Sequence, residues 1–518
     1  MIRFNKPLQA LIALILIFGM FGPAAAPSKA ALARAHPLLV QMAAEQPEQM
    51  VAVIVQKSDI SDQAETLVRR LGGEVSKDLH IINAFAAELD AGAALELARD
   101  PSVRWVSLDV PMVSTGAPID TSSLQSAFIK AIGADRVWNE GPAYLQGQGI
   151  TVAVVDSGDC NNDSNNAKPC DSLKDQNGQW HVIASTSVLD LNRGSPQDFY
   201  GHGSLVEGLV GNTGLGSGKR YFGSAPGVNL VSVRIADNHG QAITSEVVNG
   251  LQWVLDHKTT YNIRVVNLSL NSTSPESYHT NPLSAACEIL WFNGIVVVVS
   301  AGNNGTAALY PPANDPFVIT VGATDDKGTA SLDDDTLASF SAYGTTESGF
   351  AKPDLVAPGV NLISIVPRTK NKIWKDHQSN YTGESALKEY YMRVSGTSFS
   401  APVVSGAVAL LLQDEPGLTP DQVKYRLMVT ANTTWSGYDP TRAGSGYLDI
   451  YSAVHGMTTE SANTGIDASQ LLWTGSEPMT WDSVAWNSVA WNSVAWNSVA
   501  WNSVAWNSVA WNSDYWEP

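Results

Sequence analysis

Cysteine and positive charge are both scarce in this chain, and beyond its start no apolar run is long enough to cross a bilayer. Its 518 residues hold three cysteines, Cys160, Cys170 and Cys287, at spacings that match no metal-ligand pattern. Cys160 and Cys170 flank a small polar loop, where an exported protein either pairs them or leaves them as thiols. Cys287 sits in the apolar stretch 285–292 and reads as a buried free thiol. Lys and Arg total 31 against 50 Asp and Glu, a formal net charge of −19. That balance argues against nucleic acid as a partner and against a polybasic membrane anchor, and it suits a soluble, dispersed protein.

The one long apolar run is at the beginning. Arg3 and Lys6 precede an almost wholly apolar segment, Leu8 to Phe21, and the small residues Ala24, Ala25 and Ala26 follow. This is the pattern of a secretory signal over residues 1–30. Pro27 disfavours a cut directly after Ala26, so Ala30 is at least as good a position. The rival reading is an uncleaved anchor, for which the run is short. The mature protein is therefore expected outside the cytoplasm, with no transmembrane segment.

So long a chain exceeds one ordinary core, and the sequence divides accordingly. Residues 48–113 alternate strand, helix, strand, strand, helix and strand. Apolar runs at 51–56, 81–89 and 103–110 and a short strand near 74–76 enclose helical stretches at 61–71 and 91–98. From 130 to 457, near-continuous Val/Ile strands at 150–155, 229–235, 265–270, 295–300 and 317–323 alternate with helical stretches at 245–257, 281–293 and 398–413. Such runs between helices indicate a mainly parallel sheet covered on both faces. The polar stretches 160–198 and 368–390 read as surface insertions, and 458–480 as a linker. From Trp481 a tryptophan recurs every fifth residue to Trp516, mostly as Trp-Asn-Ser-Val-Ala. That period fits neither a helix nor a strand, so 481–518 is a repeat tail. Glycan binding, a repeat structure and export are its candidate roles, with cell-envelope or polymer attachment ranked first.

Three words carry reactive side chains close to glycine: Val-Val-Asp156-Ser-Gly, Gly-His202-Gly-Ser and Ser-Gly-Thr-Ser398. Asp156 ends an apolar strand, where a carboxylate can hold an imidazole tautomer. His202 is the one histidine of nine bracketed by glycines; an unperturbed imidazole titrates near about pH 6.5, which makes it a usable base. Ser398 opens an apolar helix, whose N-terminus favours an oxyanion. Asn303, in a strand-and-turn context, offers an amide to a developing negative charge. Singly, each has a bland alternative: a turn aspartate, a structural histidine, a serine cap and a turn asparagine. Together they supply a nucleophile, a base and an orienting acid.

With these words in the order Asp, His, Ser, and with Gly223-Ser-Ala-Pro226, Asn267-Leu-Ser-Leu270, Ala301-Gly-Asn303 and Lys352-Pro-Asp-Leu-Val-Ala-Pro-Gly359 in register between them, residues 130–455 resemble the subtilisin-like serine proteases. The resemblance implies a three-layer α/β fold with a mainly parallel central sheet, preceded by a small α+β propeptide domain (48–113) that is removed by self-cleavage near 110–123. It implies Asp156, His202 and Ser398 as a catalytic triad, and the Asn303 amide and Ser398 N–H as oxyanion donors. It also implies that Ser269, Leu270 and Asn271, as an edge strand, and Ala301 and Gly302 bind substrate. No cofactor is required for that chemistry. Structural calcium occurs in the family, but no ligand set stands out in this sequence.

The departures are local. Ser157-Gly-Asp follows Asp156 in place of the usual Thr-Gly, Leu205 replaces a second histidine, Glu207 and Ser400 replace alanines, and Asn271 replaces a glycine on the substrate strand. The expected protein is a secreted, self-processed endopeptidase acting on polypeptides. Its rivals are a surface-binding protein that cuts only itself and a processing protease with one partner.

Overall fold

The computed structural model describes residues 34–109, 117–160, 170–175, 177–190, 194–367, 371–384, 390–472 and 508–510. The signal segment 1–30, residues 110–116 of the expected processing region, the end of the expected linker (473–480) and the repeat tail other than 508–510 lie outside them. The chain divides at Val113/Ser114.

In the N-terminal unit, strands β1 (Met50–Lys57), β2 (Glu74–Leu79), β3 (Ala84–Asp90) and β4 (Val103–Leu108) form one sheet in the order β2-β3-β1-β4. β1 is antiparallel to both neighbours. Its Val51, Val53 and Val55 all face the core, the period-2 pattern of a half-covered strand. Helices Gln63–Arg70 and Ala91–Leu97 contribute Val68, Ala94 and Leu97 to that core. Two features differ from expectation. A helix at Pro37–Glu45 precedes β1 and buries Leu39 in the same core. Ile81, expected in a strand, is 89% exposed in a 3-10 turn that Asn83 ends in the left-handed conformation (φ 50°). Asparagine tolerates that conformation, so the chain turns before β3 instead of running straight into it.

In the larger unit, β5 (Thr151–Asp156), β6 (Val182–Ser187), β7 (Asn229–Arg234), β9 (Ile263–Leu268), β10 (Val296–Ser300), β11 (Ile319–Asp325) and β12 (Thr336–Leu337) lie in the order β12-β11-β10-β9-β5-β7-β6. Between β7 and β9 the chain makes the short strand β8 (Gln241–Ile243), outside this sheet. A further strand, β13 (Leu355–Pro358), joins β11. Every pairing is parallel except β11 with β12. Helices α1 (His202–Gly211) and α4 (Thr397–Asp414) pack on each other and against the sheet, as do α2 (Thr244–Tyr261) and α3 (Pro282–Phe292). These layers are the three-layer α/β fold. From β5 the order runs one way to β7 and β6 and the other way to β9, β10 and β11. β5 is thus the point where the winding reverses and a crevice opens beyond the strand ends.

The tail of this unit is not a linker up to residue 472. Ser469 and Leu472 are buried. The Ser469 N–H donates to Glu288 Oε2 (2.8 Å), the Tyr278 hydroxyl to the Asp467 carbonyl (2.8 Å) and Asn463 Nδ2 to Asp421 Oδ1 (2.8 Å). The segment looks polar because hydrogen bonds, more than apolar contacts, dock it. Likewise the described part of the insertion after 368 buries Ile373 and Asn371 and adds a strand at Tyr381–Glu384. Among the described residues no helix is long and apolar enough to cross a membrane. Ser508–Ala510 forms β14, antiparallel to β8.

Candidate active site

Each reactive residue stands at the end of an element built from apolar sequence. β5 is buried throughout and delivers Asp156 to its carboxyl end, almost fully enclosed. His202 is the first residue of α1 and has no exposed surface. Its Nδ1 lies 2.9 Å from Asp156 Oδ1 and 3.0 Å from Oδ2. The Ser157 N–H donates to Oδ1 at 2.6 Å. Burial pushes the Asp156 carboxyl up, while His202 and the Ser157 N–H pull it back. The carboxylate can thus hold the Nδ1–H tautomer and leave Nε2 to act as a base.

The approach of loop and helix depends on Gly203. A Cβ there would stand 2.3 Å from the Gly158 carbonyl oxygen and 3.3 Å from Asp156 Oδ1. The residue before His202, Gly201, has no side chain to cap α1. Asp198 does that work from three residues further back. Its Oδ1 accepts from the Gly201 N–H (2.6 Å) and the Ser157 hydroxyl (2.9 Å). Its Oδ2 accepts from the Ser204 N–H (2.9 Å) and hydroxyl (2.7 Å). Ser157 Oγ in turn accepts from the Gly203 N–H at 2.8 Å. A buried carboxylate at a helix start satisfies orphan N–H groups and opposes the helix dipole. Ser204, so near His202, is thereby committed to the cap.

Ser398 is the second residue of α4 and is buried. Its carbonyl accepts from the Ser269 hydroxyl (2.6 Å), whose oxygen accepts from Asn267 Nδ2 (2.8 Å). The next side chain, Phe399, packs its ring 5.2 Å from the His202 ring. α1 and α4 are thus locked face to face at the two reactive residues. Gly359 lets the end of β13 come close to α4, since a Cβ there would lie 2.1 Å from Ser400 Oγ.

Asn303 follows β10 through Ala301 and Gly302. Its Oδ1 accepts from the Thr397 N–H and the Thr397 hydroxyl, both at 2.8 Å. The same hydroxyl accepts from the Gly302 N–H at 3.1 Å. The amide oxygen is thereby committed to the start of α4.

The segment expected to pair with substrate follows the end of a sheet strand. β9 ends at Leu268, so 269–271 lies past its ladder, with Ser269 and Leu270 buried. Of the three, only Asn271 is half-buried, and Ala301 after β10 is buried. Sequence reasoning missed Asp198, Ser157 and Thr397. Thr397 and Ser157 lie within the reactive words themselves, but nothing in the sequence ties Asp198 to the helix start.

Cys160 and Cys170 are joined as a disulfide, Cα atoms 6.0 Å apart, and Cys287 is a buried thiol. Among the described residues no three His, Cys, Asp or Glu side chains are placed to hold a metal ion. The Lys352-Pro-Asp354 word is structural. Lys352 Nζ meets Asp354 Oδ2 at 2.8 Å, and Lys424 meets Oδ1 at 3.1 Å. Burial alone would raise the Asp354 carboxyl, but the two lysines hold it below its ordinary range, while burial brings Lys352 down to about 8.

A family model described as the subtilase family matches residues 147–467. The chain is similar to serine protease AprX of Bacillus subtilis (strain 168), 33% identical over 401 residues, which cover 76% of this chain and 84% of that protein. It is similar to subtilisin NAT of Bacillus subtilis subsp. natto, 27% identical over 399 residues, 76% and 86% of the two chains. A thermostable alkaline protease of Halalkalibacterium halodurans is 27% identical over 412 residues, 78% and 92%.

Proposed function

The chain belongs to the subtilase family, a serine endopeptidase by that membership, and from it we propose an acyl-enzyme mechanism in a secreted, self-processed precursor. Ser398 attacks the peptide carbonyl while His202 takes its proton. Asp156 holds the imidazole and stabilises its cation, and the Asn303 amide and the Ser398 N–H receive the oxyanion. His202 then protonates the leaving amine, and water repeats the sequence on the acyl-enzyme. The observation that carries this reading is the two-oxygen grip of Asp156 on His202 Nδ1, on a helix packed against the one whose second residue is Ser398.

The separate four-stranded unit before Ser114 supports a propeptide that is removed by self-cleavage. The apolar leader supports export, and the Trp-Asn-Ser-Val-Ala tail supports retention at the cell envelope. The deciding experiment incubates the purified protein with unfolded casein. Casein is cleaved by the natural chain and not by Ser398→Ala, which also stays unprocessed. Intact casein beside normal self-processing would show instead a protease that acts only on itself.

A further inference from the structure

Strand β8 has two edges, and the residues next to it in the chain use only one of them. The Gln241 N–H donates to Asp237 Oδ1 at 2.9 Å, and the Gln241 carbonyl accepts from the Asp237 N–H at 2.8 Å. The Ile243 N–H donates to Glu246 Oε2 at 2.9 Å, in the first turn of α2. The hydrogen-bonding groups of successive strand residues point to opposite sides, so the N–H and carbonyl of Ala242 face the outer edge. The strand is also held in place. The Ala242 side chain is buried, and Gly240, at φ 78°, comes so close to Tyr200 that a Cβ there would stand 2.5 Å from its ring. A rigid edge that offers a donor and an acceptor outward is a template for another strand.

β14 fills that edge. Ser508, Val509 and Ala510 stand opposite Ile243, Ala242 and Gln241, antiparallel, which makes Ala242 and Val509 the hydrogen-bonded pair of the ladder. Among the described strands β8 pairs with β14 alone. The tripeptide in β14 is a repeat. Ser-Val-Ala occurs six times between Ser483 and Ala510, at intervals of five residues, each time followed by tryptophan. A main-chain ladder takes its affinity from extended backbone, and valine between two small residues suits a strand. The other five copies therefore offer β8 the same partner.

We propose that the outer edge of β8 is a docking site for the Ser-Val-Ala repeats of this chain's own tail, which occupy it one at a time and replace one another. Residues 473–507 reach at most about 120 Å when extended, so the chain that carries β8 can supply the strand itself. The tether keeps the effective concentration of the repeats high, and a ladder too short to join separate molecules is thereby maintained. The proposal is independent of which residue is the nucleophile.

The test reads hydrogen exchange at the Ala242 amide in the full chain carrying Ser398→Ala, which prevents self-digestion. In the comparison chain Val484, Val489, Val494, Val499, Val504 and Val509 are each replaced by proline, which has no N–H to donate and leaves β8 and its core untouched. With the natural tail the Ala242 amide is expected to exchange at least about 10-fold more slowly than with the six-proline tail. Val509→Pro alone is expected to keep most of that protection, because another copy docks. Equal exchange with the natural and six-proline tails overturns the docking site. Protection lost in Val509→Pro alone overturns the interchange of copies. Protection that fades as the protein is diluted shows that a second molecule supplies the strand, and overturns the assignment to the same chain.

Discussion

At the scale of single residues, the site depends on side chains that hold others still. Thr397 fixes one end of the Asn303 amide, and Ser157 links the cap of α1 to the strand end bearing Asp156. Glu207 is the residue that fits least. It lies five positions after His202, fully enclosed, and burial first, then Asp159, raises its carboxyl well above the ordinary range. The native chain therefore keeps a proton that the unfolded chain gives up. Folding weakens as pH rises above the unfolded carboxyl value and recovers as acid brings pH back down. In a Ser398→Ala background, which prevents self-digestion, Glu207→Gln should raise Tm by roughly 2–4 °C more at pH 9 than at pH 6. A Tm difference that is the same at both pH values would contradict this account of Glu207.

At the scale of elements, α1 shows what is legible in the sequence and what is not. The glycine-bracketed His202 reads as the opening of a helix, and α1 begins there. The strands of the parallel sheet are readable because a strand covered on both faces must be continuously apolar, as 151–155 and 296–299 are. Most boundaries in the larger unit shift by a residue or two, since end residues are decided by caps, although α2 runs four residues past the expected 257. The cap of α1 itself is unreadable: a carboxylate that acts at a distance of three residues, through a turn, leaves no periodic trace. Asp198→Ala deletes four hydrogen bonds and leaves buried N–H groups at Gly201 and Ser204 without this acceptor. At about 1–3 kcal/mol for each buried donor left unmet, the loss should be on the order of 3 kcal/mol in urea unfolding, with kcat reduced because His202 rides on the loosened turn. Asp198→Asn, which can still accept, should lose less. An Ala variant as stable as the natural chain would show that water replaces the carboxylate.

At the scale of the whole molecule, the larger unit closes only with the segment that ends at Leu472. Composition suggests a boundary near 457, because Gly, Ser and Thr are frequent in 458–480. A docked segment held mainly by hydrogen bonds has the same composition as a free one, so only packing distinguishes them. Ser469 covers Glu288, whose carboxyl is raised by burial first and then by Asp315, and Leu472 enters the main core. A chain ended at Met457 should therefore unfold at a lower temperature than one ended at Leu472, by about 4 °C or more if the lost contacts amount to about 2 kcal/mol. Equal melting temperatures would return 458–472 to the status of a tether. The docked segment also has a consequence in time. On the ribosome, the residues that seal this core emerge after Asp156, His202 and Ser398, so a nascent chain carries an unfinished hydrolase until that point.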